Sequence, residues 1–271
     1  MEKDPASNAS VPSSVNTDGI LRISDFSPRR HPESIFTDRQ RRRRRRAIAQ
    51  RRLALCTPIC FPERMNLLNT VTYEFLDPIA TERLTLRLMA PDDLDDVAAY
   101  LGRDDVCQYL LHGPRSREDI APRIAEWSVA TRMSQDDEYL LLAIQLNEPP
   151  IEGPRQPVIG HMYLKLASCA NLQGEIGWTL HPNFFGNGYA TEASHAVLDL
   201  AFETIGLHRM RAELDPRNTP SIALCLRLGM RHEATFRQDL WLGGEWADTG
   251  VYAILVEEWA AWKTAARGGA D

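Results

Sequence analysis

The chain has 271 residues, 44% hydrophobic and 25% charged, with a formal net charge of −6, which suits one large or two small domains with an ordinary packed core. The charge is split: residues 1–64 hold 14 Lys+Arg against 7 Asp+Glu and the rest holds 17 against 30, so a basic arm precedes an acidic globule that repels nucleic acid and attracts cationic amines. No apolar run reaches the ~18 residues of a membrane helix, MEKDPASNAS has no signal-peptide core, and five scattered cysteines make neither a disulfide framework nor a zinc knuckle; the expectation is a cytoplasmic protein with no membrane partner and no metal.

Residues 1–64 are rich in Ser, Pro, Asn and Arg and show little apolar periodicity, which predicts a disordered arm. At its centre Arg41 to Arg46 form an unbroken run, followed by Arg51 and Arg52. Three readings stand: a contact for nucleic acid or another anionic surface, a passive solvated tail, or a segment that is not translated because synthesis starts at Met65.

Residues 70–262 alternate between strand and helix patterns. Leu84, Leu86 and Leu88 alternate with polar neighbours, a period-two strand. Pro91-Asp92-Asp93 opens a helix with Leu94, Val97, Ala98 and Leu101 on one face. Ser116 and Asp119 cap a second helix whose stripe is Ile120, Ile124 and Trp127. EYLLLAIQL (138–146) and residues 158–166 read as a strand hairpin around the loop 148–157, which holds four prolines. GEIGWTL (174–180) is a further strand. A helix is expected over 189–205 with Gly206 as its stop, then a strand over 209–214. Residues 218–228 form a short helix, with Pro220 near its start and Gly229 past its end. Two last strands, near 234–242 and 251–256, flank the turn Gly243-Gly244, and residues 263–271 are left as a short flexible tail. The pattern is α/β, a mixed sheet with few helices.

Between the strand 174–180 and the helix at 189 lies His181-Pro-Asn-Phe-Phe-Gly-Asn-Gly188. A strand-to-helix junction gathers free N–H groups and the positive helix end, so it favours an anion such as a pyrophosphate. Glycines allow positive φ and close ligand approach. The dinucleotide fingerprint fails because position 191 is Thr, and no Gly-Lys-Ser/Thr run exists. There is no His-Glu-x-x-His and no Gly-x-Ser-x-Gly elbow, so zinc hydrolysis and serine hydrolysis are not indicated. Trp127, Trp241, Trp246 and Trp259 read as packing residues.

Taken in order, IATERLTLRLMAPDD, GEIGWTLHP, FFGNGYATEA, LHRMRAELDPRNTPSIALCLRLGM and GEWADTGVYAILVEEW resemble the GNAT superfamily of acyl-CoA-dependent N-acyltransferases, in the branch of the ribosomal-protein N-terminal acetyltransferases. The resemblance covers about residues 79–260 and leaves out the arm. It implies one GNAT-type α/β domain with about four helices around a mixed, mostly antiparallel sheet that splays in the middle. It implies acetyl-CoA as co-substrate, no metal, and an amine acceptor, either a protein N-terminus or a small amine, in a monomer or homodimer. The signature Gln/Arg-x-x-Gly-x-Gly/Ala falls on residues 183–188, with Asn183 in first place, and implies pyrophosphate contacts from Phe185, Gly186, Asn187, Gly188, Tyr189, Ala190 and Thr191. Main-chain groups of Trp178, Thr179 and Leu180 would pair with pantetheine, and an N–H near Trp178 or Thr179 would polarise the acetyl carbonyl. Asn218 would touch the cofactor or cap its helix. The tyrosine that many relatives place seven residues after that Asn is Cys225 here. The serine that serves as acid in the similar branch is Ser221, leaving Cys225 as a weaker substitute or a buried helix residue. The base position of that branch falls on Leu240, so the candidates are Asp239, which requires a slip or bulge in the strand, and Glu175. Two other functions stay open: an acyl-CoA-binding module without turnover, and a nucleic-acid-associated protein tethered by the arginine run.

Overall fold

The computed structural model describes residues 71–147 and 156–268. The arm with Arg41–Arg46, and most of the proline-rich loop at 148–157, lie outside the described residues. In chain order the elements are β1 (Tyr73–Glu74), β2 (Ile79–Ala80), β3 (Leu84–Leu88), α1 (Leu94–Leu101), α2 (Asp104–Cys107), α3 (Arg117–Val129), β4 (Arg132–Met133), β5 (Tyr139–Leu146), β6 (Val158–Ser168), β7 (Gln173–Leu180), α4 (Tyr189–Asp199), β8 (Arg209–Leu214), α5 (Thr219–Arg227), β9 (Arg231–Leu242), β10 (Glu245–Leu255) and α6 (Val256–Gly268). β1 and β4 make a small antiparallel ribbon. The other strands form one sheet, ordered β2-β3-β5-β6-β7-β8-β10-β9. Every neighbouring pair is antiparallel except β7 and β8.

Side chains alternate across a strand, and β5 shows why its sequence reads as an unbroken apolar run. Leu140, Leu142 and Ile144 join the core under α4, α5 and α6, while Leu141 and Ala143 join the core under α1 and α3. α3 begins where its cap dictates. Ser116 Oγ accepts from the Asp119 amide at 3.2 Å, and Asp119 Oδ2 accepts from the Ser116 amide at 3.2 Å. Ser116→Ala is expected to cost about 1 kcal/mol. In a domain of this size that lowers Tm by about 2–4 °C, readable in a thermal melt.

The described residues contain six helices, not about four. α2 is a single turn, too short to leave a periodic signature. α6 follows β10 without a break and carries the chain through Gly268, so residues 263–268 continue a helix instead of a flexible tail. Its anchors are specific: Trp259 Nε1 donates to Asp199 Oδ1 at 2.9 Å, Lys263 Nζ reaches the same oxygen at 2.7 Å and also pairs with Glu203, and the Trp259 and Trp262 rings stack. The helix expected over 189–205 keeps α geometry to Asp199 and then widens into a π-type turn, closed by the Ile205 amide on Leu200 O at 2.9 Å. Trp127 and Trp259 are buried, while Trp241 and Trp246 form an exposed edge-to-face pair at the β9–β10 tip. No helix among the described residues is long and apolar enough to cross a membrane.

Candidate functional site

The parallel pair β7–β8 is joined only at its start, through Gln173↔Arg209, Gly174↔Met210 and Glu175↔Arg211. The closed end is tight: a Cβ on Gly174 would lie 2.5 Å from Met210 Sδ and 2.7 Å from Leu207 Cδ1. Beyond it the strands part. β7 stays with β6 as far as Leu180↔Gly160, and β8 stays with β10 as far as Leu214↔Gly250. The edge of β7 from Ile176 to Leu180 therefore faces a gap with no strand opposite it among the described residues. An unpaired strand edge offers alternating N–H and C=O groups to any extended, amide-bearing ligand.

β7 runs directly into the glycine loop. His181 Nδ1 accepts from the Asn183 amide at 3.1 Å, and Pro182–Phe184 make one tight 3₁₀ turn. Gly186 and Gly188 both hold left-handed φ, +77° and +79°. Asn187 staples the loop from inside, its Nδ2 donating to Phe184 O at 3.3 Å and Phe185 O at 3.2 Å. After the Phe185 amide, which bonds Pro182 O at 3.0 Å, the next amide with a backbone partner is Glu192, bonded to Gly188 O at 3.0 Å. The amides of residues 186–191 have no acceptor among the described residues. Six consecutive free donors at the start of an eleven-residue helix are an arrangement that suits an anion. Asn183, Phe185, Tyr189, Ala190 and Thr191 all belong to this loop or to the first turn of α4, as the motif spacing predicts.

On the α5 side of the sheet, Asn218 caps its helix: its Oδ1 accepts from the Ser221 amide at 3.2 Å. This places Ser221 in the first turn, where Trp178 Nε1 on β7 donates to its Oγ at 3.2 Å. Thr179 and Leu180, next along β7, are nearly buried. Cys225, one turn further along α5, is 0% exposed within the main core. Burial pushes its thiol up to about 12. The structure thus brings Ser221 to the splayed strand and leaves Cys225 in packing.

The opposite face of the sheet carries carboxylates. Glu175 Oε2 is held by Lys165 Nζ at 2.9 Å and Arg211 Nη2 at 3.2 Å. Asp239 is exposed in β9, within a bulge: Phe236 pairs with Thr249 and Leu240 with Ala247, so residues 237–239 oppose Asp248 alone. Gln238 takes φ +50°, and its amide bonds Asp248 Oδ1 at 2.8 Å. The bulge adds two residues to β9, so Phe236 and Leu240 keep the same alternation and Asp239 lies inside the irregular stretch. Glu213, which sequence reasoning missed, stands on the diverging part of β8. Burial raises its pKa above the ordinary carboxylate range, Glu175 adds to this, and Arg211 and Lys165 oppose it; Asp239 contributes in the same direction as Glu175. The polar alternation Arg211, Glu213 in RMRAEL was a signal for it, since both fall on one face of β8. Deeper on β6, burial lowers the imidazole of His161 to about 3, and its Nδ1 lies 2.8 Å from the Tyr100 hydroxyl.

The sequence profile of the Acetyltransferase (GNAT) domain matches residues 83–231, more than half of the chain. The chain belongs to the GNAT acetyltransferase family. An uncharacterized N-acetyltransferase of Bacillus subtilis (strain 168), YnaD, is 33% identical over 181 residues, covering 67% of this chain and 98% of the relative. The solved structure of a GNAT-family acetyltransferase from Bacillus anthracis is 30% identical, with a TM-score of 0.58 over 67% of this chain and 99% of that one. A spermidine N-acetyltransferase from Vibrio cholerae, solved with CoA and spermine, shares the fold at 17% identity and a TM-score of 0.54, over 66% of this chain and 99% of its own. This GNAT protein is accordingly an acetyl-CoA-dependent N-acyltransferase that moves an acetyl group to an amine. The free amides and the unpaired β7 edge fit the phosphates and the pantetheine amides of that co-substrate.

Proposed function

We propose that this acetyltransferase binds acetyl-CoA along β7 and the glycine loop, and passes the acetyl group directly to a cationic primary amine that enters from the Glu213 face. The observation that carries the reading is that two unsatisfied backbone surfaces follow one another along a short stretch of chain: the β7 edge from Ile176 to Leu180 and, after one tight turn, the amides of residues 186–191. In this reading Phe185 to Thr191 hold the pyrophosphate by their main chain. Trp178, Thr179 and Leu180 pair with pantetheine, and Asn218 acts by capping α5. Acetyl-CoA supplies an activated acetyl thioester. A main-chain N–H at Trp178 or Thr179 is the donor that polarises the acetyl carbonyl.

Ser221 is the proton donor for the departing sulfur. An incoming ammonium must lose a proton before it attacks, and a carboxylate with a raised pKa near the cleft is suited to take it. Glu213 meets that requirement, with Asp239 adding negative potential for a cationic acceptor. Glu175 is read as the partner of Lys165 and Arg211 that orders the closed end of the splay. Cys225 carries no role in transfer. The acceptor is a protein N-terminus or a small polyamine-like amine. The carboxylate face supports the cationic class over neutral hydroxylated or aromatic amines.

The test is turnover of acetyl-CoA by the full-length protein against a panel of peptides with free N-termini, linear polyamines and neutral-bodied amines. Cationic members are expected to show the highest kcat/KM, with an advantage that shrinks as salt is raised. Preference for neutral amines at every ionic strength would overturn the acceptor assignment. Tight binding of acetyl-CoA without turnover of any amine would favour the acyl-CoA-sensing reading.

A further inference from the structure

The motif Ala80-Thr-Glu-Arg-Leu84 lies far from the glycine loop in sequence, yet Arg83 reaches that loop by three routes. Its Nη1 donates to Asn187 O at 2.9 Å. Its Nε donates to Glu192 Oε2 at 2.7 Å, in the first turns of α4. Its guanidinium lies over the Tyr189 ring, 4.7 Å from the centroid. The fourth feature is what remains unused. Arg83 Nη2 has no hydrogen-bond acceptor among the described residues, and it would sit 3.4 Å from a Cβ placed on Gly188. A cationic donor therefore borders Gly188, inside the free-amide row.

Glu192 explains why a cation is needed there. A carboxylate in the first turns of an anion-binding helix repels the anion that the helix would hold. Here the carboxylate is fully engaged: Oε1 accepts from Thr81 Oγ1 at 2.6 Å and from the Arg83 amide at 2.8 Å, and Oε2 takes Arg83 Nε. The head of β3 thus neutralises Glu192 and ties down the loop carbonyl with one side chain. A surface ion pair alone would not also bond the Asn187 carbonyl or leave a donor beside Gly188. Guanidinium geometry suits this division, because its fork can serve a carboxylate on one side and a phosphate on the other.

We propose that Arg83 is a positioning residue of the phosphate loop, which fixes Asn187 and neutralises Glu192, and that its Nη2 completes the phosphate site. This rests on the reading of residues 186–191 as the pyrophosphate loop.

The test compares two acetyl donors in the full-length protein: acetyl-CoA, and S-acetylpantetheine, which lacks the phosphates. The measured quantity is the ratio of their kcat/KM values. In Arg83→Met the ratio is expected to fall at least about tenfold, the scale of one lost hydrogen bond to a charged group, with the loss in KM for acetyl-CoA and not in kcat. Arg83→Lys keeps the charge and loses the fork, so its ratio falls between those of Met and the parent. Glu192→Gln introduced into Arg83→Met is expected to recover part of the loss. A ratio equal to the parent's in either Arg83 variant overturns the proposal, whether both donors decline together or neither does. If Arg83→Met does not fold, Arg83→Lys alone decides the matter by the same ratio. A parent protein that uses acetyl-CoA no better than S-acetylpantetheine instead overturns the assignment of the loop itself.

Discussion

Gly188→Glu is expected to weaken acetyl-CoA binding by at least about a hundredfold, for two separable reasons. Gly188 holds φ +79°, where a side chain costs about 1–2 kcal/mol unless the backbone relaxes, and relaxation would turn the loop amides away from their ligand. The second reason is charge. A carboxylate about 4 Å from a phosphate is repelled by about 1 kcal/mol in water and about 4 kcal/mol at the effective dielectric of a protein surface. It would also draw Arg83 away from Asn187. Gly188→Asn separates the two reasons, because asparagine tolerates left-handed φ and brings no charge. The expected order of affinity is parent, then Asn, then Glu, by calorimetric titration of the full-length proteins with acetyl-CoA. A thermal melt of each variant verifies that it is folded. Unchanged binding in folded Gly188→Glu would mean that Gly186-Asn187-Gly188 is only a turn.

The sequence carried the fold's local part well, because local structure is written in short-range patterns. The alternation at Leu84–Leu88, the Ser116–Asp119 cap and the glycine stop after α5 each act within a few residues, and each appears where the pattern puts it. The splay of β7 from β8 is a matter of register between distant segments, so spacing alone did not reveal it; the resemblance to a known family did. Arg83 shows the same limit more sharply. Its partners Asn187 and Glu192 lie more than a hundred residues away, and nothing local marks the pairing. The bulge at residues 237–239 was also hidden, since Gln238 takes a positive φ without being glycine. Cys225 was drawn into the site by counting from Asn218. Its place beside Leu224 and Leu228 in the core was equally legible in the helical spacing of the same segment. Where a count and a periodicity disagree, burial follows the periodicity.

Ser221→Ala is expected to lower kcat by about a hundredfold or more, within the 10²–10⁴ range of a positioned acid, with little change in KM for acetyl-CoA. The indole N–H of Trp178 can only donate. Its bond to Ser221 Oγ therefore occupies an acceptor lone pair and leaves the hydroxyl hydrogen free to be given away. The capped first turn of α5 adds the positive end of a helix beside that hydroxyl, which favours negative charge developing on a departing sulfur. A donor thioester whose thiol is strongly acidic needs no proton on leaving, so with such a donor the Ser221→Ala defect should shrink towards parity. That comparison separates proton donation from mere packing, since a packing defect would persist with both donors. Trp178→Phe removes the anchor while leaving the hydroxyl, and is expected to fall between parent and Ser221→Ala. Cys225→Ala should leave kcat close to the parent's and instead lower thermal stability, because it opens space in a filled core. If Cys225→Ala abolished turnover while Ser221→Ala did not, the two residues would exchange roles, and proton donation would have to come from within the core.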